Sequence, residues 1–203
     1  MTVEATSWTD RARATLQWWR VPLMVAFVAA GIYLIERESM WLWAGMAITL
    51  FGEAIQLWSA SHLSKDKTLA TSGPYSYVRN PMYLGRFFVL LGFVAMIQQA
   101  WWTQAQICHI PMVVVGYIVL FALYAKGRVG REEARLRVLF GEDYALYCRE
   151  VPRFLPRIRP YRRASAQRAR WAQIAANNEY LNLIAVLAVL ALILIRLRIF
   201  GHH

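Results

Sequence analysis

Five stretches of 15 to 20 residues carry few charges, and each is long enough as a helix to cross a hydrocarbon core of about 30 Å. They run from Trp18 to Ile35, Trp41 to Ala60, Pro81 to Ala100, Ala105 to Ala125 and Tyr180 to Ile195. A backbone in lipid must satisfy its own N–H and C=O groups, so such stretches fold as helices. The pattern predicts an all-α fold, a polytopic membrane helix bundle of about five transmembrane helices. Trp18, Trp19, Trp41, Trp43, Trp101 and Trp102 sit at span ends, where amphipathic rings favour the interface. A disordered chain is excluded by a composition that is 58% hydrophobic. A disulfide scaffold is excluded because Cys108 and Cys148 are the only cysteines and Cys108 lies inside an apolar stretch. The first span is long for a signal-peptide core and is followed at once by another, so it reads as retained. The last apolar run, Leu181 to Ile195, is only 15 residues and ends in Arg196 and Arg198. It either crosses with the C-terminus outside or lies shallow in the interface.

The net charge of +11 is distributed unevenly. Arg11, Arg13 and Arg20 precede the first span, and Lys65, Lys67 and Arg79 lie between the second and third. Residues 126–170 carry 13 basic and 5 acidic side chains, whereas the connection between spans three and four has none. Basic connections mark the cytoplasmic side, which places the N-terminus, the second connection and the 126–179 segment there. The chain is expected to divide into residues 1–125, with four helices and a polar loop at 61–82, a cytoplasmic segment at 126–179, and a final membrane helix at 180–200.

The 61–82 loop holds Thr71-Ser72-Gly73-Pro74-Tyr75, which is turn chemistry: glycine can take a positive φ, and proline fixes the next one. Asn80-Pro81 then opens the third span, with proline at the first helical position and Asn80 as the expected cap. A helix start beside Arg79 is suited to an anion. An ordinary re-entry loop anchoring Tyr75, Tyr77 and Tyr83 at the interface would have the same local features. In the 127–156 segment, Val129, Leu136, Leu139 and Phe140 have helical spacing and Gly141 is a natural stop. Glu142-Asp143 open a further short helix presenting Tyr144 and Tyr147. Glu132 and Glu133 have Arg128, Arg135 and Arg137 at three- or four-residue spacing, which alone would give surface ion pairs of a few tenths of a kcal/mol.

Taken together, the two segments resemble the isoprenylcysteine carboxyl methyltransferase and phospholipid methyltransferase superfamily of integral membrane enzymes. Ser61 to Gly85 is similar to the family's S-H-L-x-K…T-S-G-P-Y-x-Y-x-R-[HN]-P-x-Y-x-G, and Arg131 to Pro152 to its R-x-E-E-x-x-L…F-G-x-x-Y-x-x-Y…V-P. The resemblance covers about residues 59–156, with a membrane hairpin between the motifs.

The resemblance implies S-adenosylmethionine as methyl donor, held by Gly73, Pro74, Tyr75, Tyr77, Arg79, Asn80, Pro81, Tyr83, Glu132 and Glu133. The chemistry is compatible, since that donor has a carboxylate, hydroxyls, an adenine and a sulfonium, which suit an arginine, carboxylates and ring faces. Arg79, Glu132 and His62 are the expected catalytic groups. Glu53, Lys65, Arg86, Tyr144 and Tyr147 are the expected acceptor contacts. Eukaryotic isoprenylcysteine enzymes have histidine where this chain has Asn80, so no imidazole role transfers to that position.

Methyl transfer from a sulfonium is an in-line displacement that needs alignment and exclusion of water. A carboxylate or thiolate acceptor needs no base; an ammonium must first lose a proton, to Glu132, Glu133 or His62. His62 and His109 are too far apart in sequence to suggest a metal. Glu53 and Gln56 share one face of the second span, where an ionisable group turns inward; they either form a structural inter-helix hydrogen bond, or meet Arg86 or line a substrate tunnel. Gly45, Gly52, Gly85, Gly92 and Gly116 read as close-packing positions. The basic run from Arg153 to Arg170 adjoins membrane spans, so anionic lipid headgroups are its expected partner and nucleic acid is not.

Three functions compete at this stage. The first is a membrane methyltransferase acting on the carboxylate or thiol of a lipid-like or prenylated acceptor. The second is a phosphatidylethanolamine-type N-methyltransferase, and the third a non-catalytic membrane scaffold that keeps the fold.

Overall fold

The computed structural model of the protein describes residues 29, 31–33, 35, 38–65, 67–102 and 110–200. Most of the first expected span lies outside these, as do Cys108 and His109. All regular structure among the described residues is helical: α1 (Met40–His62), a 3-10 turn (Gly73–Ser76), α2 (Pro81–Trp102), α3 (Ile110–Glu150), α4 (Trp171–Ala176) and α5 (Glu179–Phe200). Helix α1, the Val113–Glu150 part of α3, and α5 are long and apolar enough to cross a membrane, and Pro81–Ile97 is a shorter apolar helix. Their outward faces carry Phe51, Leu120, Leu123, Ile184 and Leu192 in the open, a surface that suits lipid rather than water. The chain is an all-α membrane helix bundle.

Glycines at seven-residue spacing weld α1 to α2. The helices run antiparallel, with Gly45 against Gly92 and Gly52 against Gly85. A Cβ added at Gly92 would lie 2.4 Å from the Gly45 carbonyl oxygen, and one at Gly52 would lie 2.6 Å from that of Gly85. Thr49 Oγ1 donates to the Val89 carbonyl at 3.4 Å along the same seam. Without a hydrophobic drive between helices in lipid, this backbone approach and its dispersion contacts hold the pair together. Gly116 departs from the expectation for it, since a Cβ there would meet nothing within 4 Å among the described residues.

Helix α5 is 22 residues long and passes through Arg196 to Phe200, so it exceeds the 15-residue apolar run that its sequence marks. Arg196 is tolerated because its guanidinium donates to the Ile32 and Ile35 carbonyls and lies 5.4 Å over the Tyr33 ring. Around it, Ile35, Leu42, Met96, Leu190, Ile193 and Leu197 form an apolar core at the end of the bundle away from the polar loop. At the loop end, Asn177 donates to the Ala60 and Leu63 carbonyls at 3.1 and 2.9 Å, closing the last turn of α1. Asn178 takes a positive φ of 59°, which turns the chain from α4 into α5.

Helix α3 shows no break at the expected boundary after Ala125 and, at 41 residues, is about twice as long as one crossing needs. It is interrupted at Gly141, whose φ of 48° and ψ of −122° break the ladder, and it resumes at once to Glu150. Glycine is required there because an L side chain rarely adopts that conformation.

Gly92→Ala should lower the unfolding temperature in detergent, the overpacked seam costing about 1–3 kcal/mol. Gly116→Ala should leave it unchanged or raise it, since alanine is favoured in an open helical position by about 1 kcal/mol.

Candidate functional site

The site is built where the 61–82 loop meets the charged half of α3. Serine and glycine at Ser72-Gly73 lead into the 3-10 turn, with Gly73 at φ 56° as the sequence requires. A second constraint acts on Gly73: a Cβ there would lie 2.7 Å from the His62 ring. His62 is buried beneath it, with Nδ1 3.0 Å from Ser61 Oγ and 3.1 Å from the Trp58 carbonyl. The turn then places Arg79 and Asn80 at the start of α2.

On α3, Ala125, Val129 and Glu133 form a buried stripe at four-residue spacing. Glu133 is 1% exposed and is the junction of three segments. Arg153 donates to both of its oxygens, from Nε to Oε1 at 3.1 Å and from its Nη2 to Oε2. Asn80 Nδ2 donates to Oε1 at 3.3 Å, and Arg79 lies 3.7 Å away as an ion-pair partner. Asn80 also donates to the Arg153 carbonyl at 3.2 Å, so its amide joins loop to strap. Burial works to raise the Glu133 carboxyl, but the Arg153 hydrogen bonds and the Arg79 charge outweigh it and hold the group below its ordinary value of 4.5.

The neighbouring Glu132 faces outward. Tyr83 OH donates to its Oε2 at 3.2 Å, and Arg86 lies 5.6 Å over the Tyr83 ring. A file of rings continues down the α2–α3 seam through Tyr83, Tyr124, Phe121, Phe87 and Tyr117. Tyr117 OH donates to the Phe87 carbonyl at 2.6 Å.

Residues 151–170 form a strap across the loop. Arg79 N–H donates to the Pro152 carbonyl at 2.9 Å, Arg157 N–H to Tyr77 at 3.0 Å, and Tyr161 N–H to Ser76 at 2.9 Å. Farther along, Ser165 N–H donates to Thr71 Oγ1 at 2.9 Å and Arg170 N–H to the Ser61 carbonyl at 3.0 Å. Beneath it Tyr144, Tyr147, Val151 and Tyr161 make a buried cluster, and Tyr147 OH donates to the Tyr75 carbonyl at 2.6 Å. Burial pushes the Tyr75, Tyr144 and Tyr147 phenols well above the ordinary range, so they stay neutral hydrogen-bond donors.

The structure therefore gathers Gly73, Pro74, Tyr75, Tyr77, Arg79, Asn80, Pro81, Glu133, Tyr144 and Tyr147 into one unit, with Glu132, Tyr83 and Arg86 beside it. Lys65 is exposed in the turn after α1. Tyr144 and Tyr147 were expected at an acceptor, but their side chains pack inside the aromatic cluster under the strap. Glu53 lies apart from the clamp in α1, 2% exposed, accepting from Gln56 at 3.1 Å through one oxygen; the other has no hydrogen-bond partner among the described residues. In the joined loop, Arg79 Nε and Ser72 Oγ are likewise buried without a partner.

With this geometry in view, the comparisons with known proteins are decisive for kinship. The phospholipid methyltransferase family matches residues 40–124, which is α1, the loop, α2 and the first part of α3. A protein-S-isoprenylcysteine O-methyltransferase of Xenopus laevis is 33% identical over 141 residues, 63% of this chain and 45% of the relative. A nickel-cobalt-cadmium resistance protein of Alcaligenes xylosoxydans xylosoxydans is 30% identical over 158 residues, 72% of this chain and 67% of the relative. This chain belongs to the isoprenylcysteine carboxyl methyltransferase and phospholipid methyltransferase superfamily. A cobalt-zinc-cadmium resistance protein of Cupriavidus metallidurans, 33% identical over 71% of this chain and 64% of its own, is similar as well. The chain spans about half the length of the isoprenylcysteine relatives it matches. No solved structure matches it.

Arg153 and the strap are the parts of this superfamily member's site that sequence reasoning missed. Arg153 is one of seven arginines between positions 153 and 170, and nothing in its spacing sets it apart. Only its position after Val151-Pro152, where the second motif ends, is a signal.

Glu133→Ala should destabilise the protein by about 3–5 kcal/mol, because it leaves Arg79 and Arg153 facing each other without the carboxylate. A lowered carboxyl contributes stability that is complete above its unfolded value and lost as pH falls through the folded one. Thermal unfolding in detergent should therefore show an acid-induced loss beginning near pH 4.5 and continuing below it, and Glu133→Gln should lack that component.

Proposed function

We propose that the protein is a multi-pass membrane methyltransferase that uses S-adenosylmethionine to methylate a lipid-like or prenylated acceptor, on a carboxylate or thiol, that reaches the site from the bilayer. The observation that carries this reading is the joined pair of motifs, in which Glu133 brings Arg79 and Asn80 against α3 while Arg79 Nε and Ser72 Oγ are buried without a hydrogen-bond partner among the described residues. Buried donors without partners are costly, and a ligand with acceptor oxygens relieves that cost. S-adenosylmethionine fits this donor set through its carboxylate and hydroxyls, and when bound it supplies an electrophilic methyl group on a sulfonium.

The protein's own part is to bind, align and exclude water. Arg79 and Ser72 would hold acceptor oxygens of the donor molecule, and exposed Glu132 would take its ammonium or ribose hydroxyls. Tyr83 orients Glu132 and offers a ring face to positive charge. Glu133, Asn80 and Arg153 position the loop rather than touch the reacting atoms. The O-methyltransferase names of the isoprenylcysteine relatives support a carboxylate acceptor. The basic connections support a cytoplasmic site.

Calorimetric titration of the detergent-purified protein with S-adenosylmethionine and S-adenosylhomocysteine tests this. Both should bind, and Arg79→Ala or Glu132→Ala should weaken binding roughly 10- to 100-fold, the loss of one charge-assisted contact. Absence of binding in detergent and in nanodiscs, or unchanged affinity in both variants, would overturn the reading in favour of a scaffold.

A further inference from the structure

The segment from Leu155 to Trp171 holds large apolar side chains that none of the described residues covers. Leu155 is 81% exposed, Ile158 97% and Trp171 86%. None belongs to a membrane-length helix, so lipid tails flanking the bundle do not account for them. Between them the sequence has Arg157, Arg159, Arg162, Arg163, Arg168 and Arg170, and no acidic residue occurs from Val151 to Asn178. All of these arginines but Arg157 are exposed.

The hydrogen bonds of the strap tie it to two helix ends. One end is held at the start of α2, through Arg79 N–H to Pro152, and the other at the end of α1, through Arg170 N–H to Ser61. Both ends lie at the level where apolar helices meet polar loop. Tyr161 turns inward and packs on Tyr147 with ring centroids 5.5 Å apart, which fixes the strap's inner side. Its other side presents apolar and cationic groups to whatever lies at that level.

We propose that residues 155–171 form an interfacial docking surface for anionic phospholipid. Leu155, Ile158 and Trp171 embed at the boundary of headgroups and acyl chains, and the exposed arginines pair with lipid phosphates. A second chain with an acidic face would meet the same charges, but the strap's position between two membrane helix ends favours the bilayer. Because its backbone holds the loop at Ser61, Thr71, Ser76 and Tyr77, lipid engagement also steadies the loop that carries Arg79. This inference stands on the strap alone and is independent of methyl transfer.

The test places an environment-sensitive nitrobenzoxadiazole label at Ile158→Cys in a Cys108→Ser, Cys148→Ser background, reconstituted in nanodiscs of phosphatidylcholine with and without phosphatidylglycerol. The label should shift to the blue and lose quenching by aqueous iodide when the anionic lipid is present. The combined variant R159Q, R162Q and R163Q should reverse that gain. As a second measure with native cysteines, brominated phosphatidylglycerol should quench more fluorescence in the wild type than in Trp171→Phe. A label that stays water-exposed in anionic nanodiscs, or is shielded equally in both lipids, would overturn the proposal. So would shielding that appears only with two chains per disc, which would assign the surface to a second copy.

Discussion

The carboxylate of Glu133 is the constraint on which the loop end of the molecule depends. A charge cannot be taken out of water without partners, and this one has drawn an arginine and an asparagine from the loop and a second arginine from the strap. Three segments separated by 20 and 53 residues are thereby held to one atom group. The arrangement divides the labour of the Glu132-Glu133 pair. The inner carboxylate is consumed by its ion pairs and hydrogen bonds, and the outer one is exposed, accepting from Tyr83.

The membrane end is organised by a different force. Between α1 and α2 the backbones approach closely, because glycine at four positions removes the side chains that would hold the helices apart. Between α2 and α3 the separation is filled by aromatic rings, with Phe87 stacked on Tyr117 and edge-on to Phe121. The hairpin that carries the loop is thus a rigid post, and α3 brings the charged stripe to it along a seam of larger, softer contacts. The same helix pair meets α5 around Leu42, Met96 and Leu190, so the last helix is a structural member of the bundle and not an appended anchor.

Much of the fold was legible in the residues. Gly73 and Gly141 announced their positive φ values, Pro81 marked the first residue of α2, and the spacing of Gly45, Gly52, Gly85 and Gly92 marked the close seam. Less legible were features that depend on a distant partner. Arg196 looked like the end of a span, because the carbonyls of Ile32 and Ile35 that accept from it are more than 160 residues away. Gly116 looked like its fellow glycines, but nothing among the described residues packs against it. Tyr144 and Tyr147 were expected at an acceptor from the resemblance, and the strap that covers them has no regular pattern of its own.

The sequence by itself determined that this chain is a helical membrane protein with two polar segments between its apolar stretches, because hydrophobic run length and local backbone preference act over short stretches and need no knowledge of the rest. Only the tertiary structure decided which of two adjacent glutamates is buried, which of seven arginines clamps it, and which side of the basic strap faces out. Those outcomes follow from charge pairing and close packing between residues far apart in the chain, and such forces come into being only once the helices have met.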